Sequence, residues 1–97
     1  MSDAARMDRP ERIRTTLAKA LSASVVEVID DSHLHAGHAG ARDGRGHFRV
    51  RIVAEAFAGL RPIQRHQLVY RALGEMMNTD IHALSIAAFT PAEVTST

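Results

Sequence analysis

The amino-acid sequence predicts one α+β domain in which two helices cover one face of a three-stranded mixed sheet. Two segments have apolar residues at helical spacing, and the segments between and after them have the alternation or β-branched content of strands. The predicted order is α-β-β-α-β. A chain of 97 residues forms one domain and buries roughly two-thirds of its unfolded surface. That is enough for a small sheet and its helices but not for a deep catalytic cleft.

The first helix is predicted to begin at Asp8, which can cap it, with Pro10 in the first turn. Residues 22–24 end this helix, and residues 25–30 predict the first strand because they are rich in β-branched side chains. The apolar residues of the helix recur at helical spacing and are Ile13, Leu17, Ala20 and Leu21.

Residues 47–54 predict the second strand, because apolar and polar side chains alternate along them. Such a strand buries one face and leaves the other towards water, which is typical of an antiparallel sheet. The first two strands are therefore expected to form a hairpin with a long tip. The inward residues are Phe48, Val50, Ile52 and Ala54, and the outward residues are His47, Arg49, Arg51 and Val53.

The second helix is predicted from Pro62 to about residue 77, with His66 along its apolar stripe. Residues 78–80 end this helix, and a short extra helical turn can precede the last strand. Residues 81–89 predict a third strand, because apolar and polar side chains alternate along them. A helical crossover joins parallel strands by a right-handed connection. We expect residues 1–7 to be a flexible N-terminal tail, residues 8–93 to be the domain, and residues 94–97 to be a C-terminal tail. The apolar stripe of the helix contains Val69, Ala72, Leu73, Met76 and Met77.

Composition narrows the classes of function. The net charge is +1 and the pI is about 8.4, which is below the value of about 9 that is usual for a strongly basic nucleic-acid binder. There is no cysteine, so disulfides, thiolate metal sites and cysteine nucleophiles are excluded. No apolar run approaches the roughly 18 residues of a membrane span. The expectation is a soluble cytoplasmic protein without a membrane partner.

Four of the six histidines lie between Asp31 and Phe48, in the tip of the predicted hairpin. A neutral imidazole ligates metals and titrates near neutral pH. The segment is open to three interpretations: a solvated loop, a self-contained zinc site, or half of a site that another part of the fold or a partner completes. His82 begins the third strand and shares parity with Leu84 and Ile86, so it is predicted at the edge of a buried face. The four histidines of the segment are His33, His35, His38 and His47.

Nucleic-acid binding and catalysis are weaker alternatives. Arginines project from the predicted open face and from the second helix, as phosphate contacts require, but no aromatic side chain on the open face can stack on bases. The Gly-x-x-Gly at residues 37–40 joins two strands, whereas the nucleotide-clamping version joins two helices. Ser32 beside His33 lacks an oriented third group, so we expect no enzymatic activity. The arginines are Arg49 and Arg51 on the sheet and Arg61, Arg65 and Arg71 on the helix.

Six short segments, in the same order, resemble the BolA family. The resemblance extends from about residue 9 to residue 93, and six segments in register make it specific although each is short. It implies a KH-like α-β-β-α-(α)-β fold, in agreement with the order predicted from periodicity. One departure is Ala54, where many relatives have a serine that can cap the next turn. The segments are Asp31-Ser-His-Leu-His, Gly46-His-Phe-Arg-Val, Phe57-Ala-Gly, Arg65-His66, His82-Ala-Leu and Thr90-Pro-Ala-Glu.

The resemblance implies a partner and a shared cofactor. Proteins of this family form heterodimers with monothiol glutaredoxins, either without metal or bridging a 2Fe-2S cluster, in iron–sulfur assembly and iron homeostasis. The glutaredoxin provides a cysteine and a bound glutathione thiolate, and the BolA-like partner provides two ligands. On this sequence those ligands correspond to His82 and to His35, with His33 and His38 as the other loop candidates. No cluster is expected in the isolated protein, which is expected to be a monomer or a weak homodimer.

The resemblance also implies a second function. Bacterial members of the family are described as stress-responsive transcriptional regulators that contact DNA through the KH-like helix and the adjacent turn. The corresponding partner or nucleic-acid surface contains Arg61, Arg65, His66 and Arg71. The role of His66, in the Arg-His pair of the family, is expected to be structural or interface-forming rather than metal ligation.

Overall fold

A computed structural model of the protein describes residues 8–32 and 46–95 and has the order α-β-β-α-α-β-α. Helix α1 spans Arg9–Leu21, and its first turn is capped as predicted, because the Asp8 carboxylate accepts a hydrogen bond from the Glu11 N–H at 3.0 Å. The helix ends at Ser22, which has a left-handed φ of 49° and donates its N–H to the Ala18 carbonyl. Three of the four predicted apolar positions are buried, whereas Ala20 is exposed.

The sheet confirms the predicted mixed topology. Its strands are β1 (Val25–Asp30), β2 (Gly46–Val53) and β3 (Ile81–Phe89), in the order β1-β2-β3. Strand β1 pairs antiparallel with β2, and β2 pairs parallel with β3. The parallel pair requires a long crossover, which contains a 3₁₀ turn at Glu55–Phe57, helix α2 (Pro62–Leu73) and helix α3 (Met76–Thr79).

The core lies between the helices and the inward face of the sheet. Phe57, from the 3₁₀ turn, is fully buried among residues of α1, α2 and the strands. Fully burying a side chain of this size stabilises the fold by roughly 1.5–3 kcal/mol. Ala54, at the position before the 3₁₀ turn, makes no side-chain capping bond, as the departure at this position predicts. The other buried residues of the core are Ile13, Leu17, Leu21, Phe48, Val50, Ile52, Ala54, Val69, Leu73 and Ile81.

Two helix boundaries differ from the sequence prediction. Helix α2 does not continue to residue 77, because Gly74 has φ of +55° and ends it. Met76 and Met77 are the first two residues of α3. The sequence prediction has no helix after β3, whereas Pro91–Thr95 forms a short helix, α4. Thr90 and Glu93 cap it reciprocally: the Thr90 N–H donates to Glu93 Oε1 at 2.8 Å, and the Glu93 N–H donates to Thr90 Oγ1 at 3.2 Å.

Val53 was predicted to face water, but it is buried. Its partners in register are Val25 on β1 and Phe89 on β3, and residues directly opposite one another share a face of the sheet. The apolar neighbours therefore cover Val53 at this end of the open face, where Arg51 also lies over the Phe89 ring at 5.5 Å. Within residues 8–32 and 46–95, no helix has the length and apolar character needed to cross a bilayer.

Gly46, the first residue of β2, lies where three parts of the fold meet. Its N–H donates to the Asp80 carbonyl, just before β3, at 2.9 Å. A Cβ atom at this position would lie 2.7 Å from both a Phe48 ring carbon and Ser32 Oγ. Asp80 itself is buried and pairs with Arg12 of α1. A residue without a side chain is therefore required at the start of β2.

We predict that Gly46→Ala lowers the free energy of unfolding by about 1–3 kcal/mol, the usual cost of overpacking a tight site. The measurement is urea denaturation of the purified proteins. Ser85→Ala, at an exposed position in the middle of β3, is the matched control and should change stability by less than about 0.5 kcal/mol. Equal stability of Gly46→Ala and the wild type would show that the Phe48 ring moves aside without cost.

Candidate functional site

The structure brings two histidines together at one end of the parallel strand pair. The ring centroids of His47 on β2 and His82 on β3 are 5.1 Å apart, and the ring planes are tilted by 50°. His47 is half-buried, with its Nε2 atom shielded from solvent, and His82 is exposed. The sequence places His47 among the loop histidines and predicts no contact between His47 and His82.

An irregularity in the strand register explains this pairing. Gly46 is opposite Ile81, but His47 is opposite Ala83, so His82 is the extra residue on β3. Such a bulge changes the direction of the side chains on the bulged strand. Ile81 and Leu84 consequently both pack against the core, although strict alternation would place them on opposite faces. The prediction that His82 shares the buried face of Leu84 and Ile86 is therefore wrong.

The base of the histidine-rich loop is fixed directly beside His47. The His47 N–H donates to Ser32 Oγ at 3.1 Å, and the His47 carbonyl accepts from the Asp31 N–H at 2.8 Å. The Arg49 guanidinium pairs with the Asp31 carboxylate at 2.5 Å. The Ser32 N–H also donates to Asp30 Oδ1 at 2.8 Å. Residues 31 and 32, which lead from β1 into the histidine-rich segment, are therefore held in place by hydrogen bonds to β2.

The other predicted loop ligands, His33, His35 and His38, lie outside the described residues. Covalent geometry limits their reach, since three residues span at most about 10 Å. His35 is three residues from Ser32, and Ser32 contacts His47. Within the part of the chain that the structure describes, no group of three or more His, Cys, Asp or Glu side chains could hold a metal ion.

A shallow depression of about 190 Å³ lies next to the histidine pair on the open face of the sheet. It continues the outward row of β2, in which Arg49 and Arg51 are exposed as predicted. Both arginines have acidic neighbours, because Arg51 lies 3.6 Å from Glu27 and Arg49 pairs with Asp31. The depression is lined by Asp31, His47, Phe48, Arg49, Ala83, Leu84 and Ser85.

Arg65, predicted as part of a partner or nucleic-acid surface, has its guanidinium directed into the fold. It donates to the Leu60 carbonyl at 3.0 Å and to the Ala88 carbonyl at 3.0 Å, and it forms a two-pronged pair with the Glu93 carboxylate at 2.7 and 3.0 Å. Its side chain is 14% exposed. Arg65 thus joins the turn before α2, the end of β3 and the helix α4.

The Glu93 carboxylate is held strongly in its ionised form. The hydrogen bonds from Arg65, followed by that from the Thr90 N–H, lower the pKa of Glu93 to about 2. The same pair raises the pKa of Arg65 above its ordinary value. The sequence Thr90-Pro-Ala-Glu has the spacing of a capping box, but the ion pair of Glu93 with Arg65 depends on a contact across 28 positions of sequence.

The remaining predicted surface residues lie on or next to α2. Arg61 and Arg71 are exposed. His66, which lies midway between them along the chain, is half-buried. Two large apolar side chains on the same helix are also exposed, Ile63 by 64% and Tyr70 by 41%. The helix therefore presents a mixed basic and apolar outer surface.

The mixed three-stranded sheet with helices on one face defines a small KH-like α+β protein. The family model described as "BolA-like protein" matches residues 17–93. This chain belongs to the BolA family.

Individual relatives agree with this assignment. The chain is 47% identical over 91 residues to "SufE-like protein 1, chloroplastic/mitochondrial" of Arabidopsis thaliana, covering 89% of this chain and 24% of that protein. It is 47% identical over 81 residues to "BolA-like protein 1" of Homo sapiens, covering 84% and 57%. This chain thus spans between about a quarter and somewhat more than half of the length of these relatives.

Two further comparisons bear on fold and function. The solved BolA domain of SufE1 from Arabidopsis thaliana superposes with a TM-score of 0.78 at 44% identity, covering 90% of this chain and 96% of that domain. The "DNA-binding transcriptional regulator BolA" of Escherichia coli is 36% identical over 80 residues, covering 82% of this chain and 73% of that protein.

The Arg65–Glu93 pair predicts a pH-dependent stability. The folded-state pKa of Glu93 lies near 2, below its ordinary value. The ion pair therefore contributes fully to the free energy of unfolding above about pH 4.5, and this contribution is lost as the pH falls towards 2. The difference in unfolding free energy between the wild type and Glu93→Gln should therefore be largest at about pH 6 and shrink at lower pH. Urea denaturation at several pH values measures it.

Glu75→Gln is the matched control, since Glu75 is an exposed glutamate at the start of α3. Its stability difference from the wild type should change little over the same pH range. A Glu93→Gln difference that stays constant from about pH 6 to pH 2.5 would contradict the assigned role of the ion pair.

Proposed function

We propose that this protein is an adaptor that forms a heterodimer with a monothiol glutaredoxin and binds or transfers a bridging 2Fe-2S cluster in iron–sulfur assembly and iron homeostasis. It has no catalytic activity of its own in this role. The observation that carries the proposal is the exposed imidazole of His82, presented at a bulge of β3 next to the base of a histidine-rich loop.

The donor set suits a shared cluster rather than a closed site. The chain has no cysteine, so all thiolates come from the glutaredoxin and its glutathione. Neutral histidines in place of thiolates on one iron make the cluster less negative and raise its potential, as in Rieske centres. Because the imidazole has to be unprotonated to bind, cluster binding also depends on pH. A mixed site of this kind suits exchange or sensing more than storage.

His82 provides the fixed ligand and a loop histidine provides the second. The proposed second ligand is His35, with His33 and His38 as the alternatives. Support comes from the base of the loop, since the Ser32 hydroxyl is bonded to the His47 backbone next to the His82 ring. His35 is three residues from Ser32 along the chain, a span of at most about 10 Å.

The first test mixes the protein with a glutathione-loaded monothiol glutaredoxin that holds a 2Fe-2S cluster. We expect a heterodimer whose visible absorption and circular dichroism differ from those of the glutaredoxin alone. His82→Ala should remove that spectral change, because one iron loses its nitrogen ligand. Without a cluster, the wild type and His82→Ala should both bind the glutaredoxin, as measured by calorimetry.

The loop variants His33→Ala, His35→Ala and His38→Ala are compared in the same assay, and His35→Ala should have the largest effect. Lys19→Ala is the control, since Lys19 is exposed on α1 and belongs to neither the proposed ligands nor the proposed surface. Unchanged cluster spectra with His82→Ala would refute the ligand assignment, and failure of the two wild-type proteins to associate would refute the partnership.

A second candidate function is DNA-binding transcriptional regulation in a stress response. Two observations favour it: the exposed Arg61 and Arg71 at the two ends of α2, and the name of the Escherichia coli relative. In this role Arg65 and His66 complete the surface, Arg65 by holding the turn at Leu60 in place. The two functions are compatible, because a regulator can respond to a bound cluster.

The salt dependence of binding tests this second candidate. Affinity for promoter DNA should fall steeply with salt, because each phosphate contact contributes about −0.9 to the slope of log K against log salt. Arg61→Ala and Arg71→Ala should each reduce the slope by about 1, whereas Lys19→Ala on α1 should not change it. Negligible binding at physiological salt would exclude direct DNA binding as the mechanism.

A further inference from the structure

We propose that the outer edge of β1 is a self-association surface, through which two copies of this chain pair antiparallel and join their sheets into one. The pairing is two-fold symmetric, with Glu27 of both copies at the axis. It uses neither the proposed cluster ligands nor the surface of α2, so it does not depend on the proposed functions.

The outer edge of β1 has backbone groups available for pairing. Strand β1 has one neighbour, β2, in the sheet that the structure describes. The Asp31 N–H donates to the His47 carbonyl at 2.8 Å, directly beyond the last pair of the β1–β2 register. Because hydrogen-bonded and non-hydrogen-bonded pairs alternate in an antiparallel ladder, the backbone groups of Val26 and Val28 point away from β2. Among the described residues, no other backbone group bonds to them there.

The two edges of the sheet differ in how they are protected. The Phe89 carbonyl accepts from the Ala54 N–H on the β2 side, so the Ala88 carbonyl points to the outer edge of β3. There the Arg65 guanidinium covers it at 3.0 Å, and the bulge at His82 interrupts the same strand. Strand β1 lacks such devices, since its register with β2 is continuous and its sequence contains no proline, glycine or lysine.

The apolar side chains of β1 are incompletely covered on both faces of the sheet. On the open face, Val25 is 37% exposed and Ile29 is 50% exposed. On the other face, Val26 and Val28 pack against the core but remain half-buried. An edge strand with exposed apolar side chains is a template for pairing with another strand.

The order of the side chains indicates that this other strand is a second copy of β1. The segment Val-Val-Glu-Val-Ile, which begins at Val25, has the same apolar pattern in both directions from Glu27. With a two-fold axis at Glu27, Val25 of one copy lies opposite Ile29 of the other. Val26 likewise lies opposite Val28, and these are the hydrogen-bonded pairs, as the direction of their backbone groups requires. Every apolar side chain of the segment therefore meets an apolar partner.

The axis also places the two Glu27 side chains opposite each other, which weakens the pairing. Arg51 is opposite Glu27 in the register and lies 3.6 Å from it, so each carboxylate has a positive charge beside it. The strand has six residues, and an interface of this length buries less than the roughly 1,200 Å² of a standard stable complex. The expected dimer is therefore weak and forms at high protein concentration.

Sedimentation equilibrium of the full chain over a range of concentrations measures the dimer. Ile29→Lys should weaken it about tenfold or more, because each dimer contains two Val25–Ile29 pairs and a lysine on an edge strand opposes pairing. Ile63→Lys is the matched control, since Ile63 is 64% exposed on α2, and it should leave the dimer unchanged. A wild-type protein that stays monomeric at the highest concentration, or a dimer that Ile29→Lys does not weaken, would overturn the proposal.

The position of the axis is tested by Glu27→Gln, which removes the like charges. It should strengthen the dimer about two- to fivefold, whereas Glu55→Gln, at an exposed glutamate outside the sheet, should not. A dimer that Glu27→Gln leaves unchanged or weakens would refute the two-fold pairing at this residue.

NMR of a mixture of differently isotope-labelled wild-type chains provides a measurement that needs no variant to fold. We expect contacts between the methyl groups of Val25 in one copy and Ile29 in the other. Contacts between copies through α2 or β3 instead would overturn the assignment of the surface to β1.

Discussion

The parallel pairing of β2 with β3, and the bulge at its beginning, is the constraint on which the rest of the structure depends. The pairing requires the crossover that supplies α2 and places Phe57 in the core. The bulge lets Ile81 and Leu84 both face the core. The bulged residue, which has no partner position on β2, is His82. The one extra residue on β3 therefore allows both apolar side chains to pack against the core and also exposes an imidazole to solvent.

The sequence predicted the order of the two long helices and the three strands, and the burial of one sheet face, because these follow from periodicities of about 2 and 3.6 residues. It did not predict the pairing of His47 with His82. Strict alternation places His82 with Leu84, and only the register against β2 reveals the bulge. Register is a property of two strands together, so no pattern within one segment of the chain contains it.

The Arg65-His66 pair illustrates a different limit. An arginine on the polar side of a predicted helix normally indicates a solvated or binding surface. Nothing in the sequence around Arg65 predicts the three groups that its guanidinium contacts. Two of those partners are backbone carbonyls, and the third is Glu93, far along the chain. Family motifs of this kind can therefore maintain the fold that presents a site, as Arg65 does by fixing α4 and the turn at Leu60, without contacting a ligand.

The exposed position of His82 agrees with the proposal of a site that a second molecule completes. A closed structural zinc site uses four protein ligands, whereas catalytic and exchangeable sites keep at least one position free. Here the bulge presents the His82 imidazole to solvent, and the described residues contain no group of three or more possible metal ligands. The histidine-rich loop begins beside His47, at Ser32. In the proposed role, one imidazole fixed on β3 beside a segment rich in further histidines would hold a cluster only together with the thiolates of a partner, and a site completed in this way suits transfer between partners.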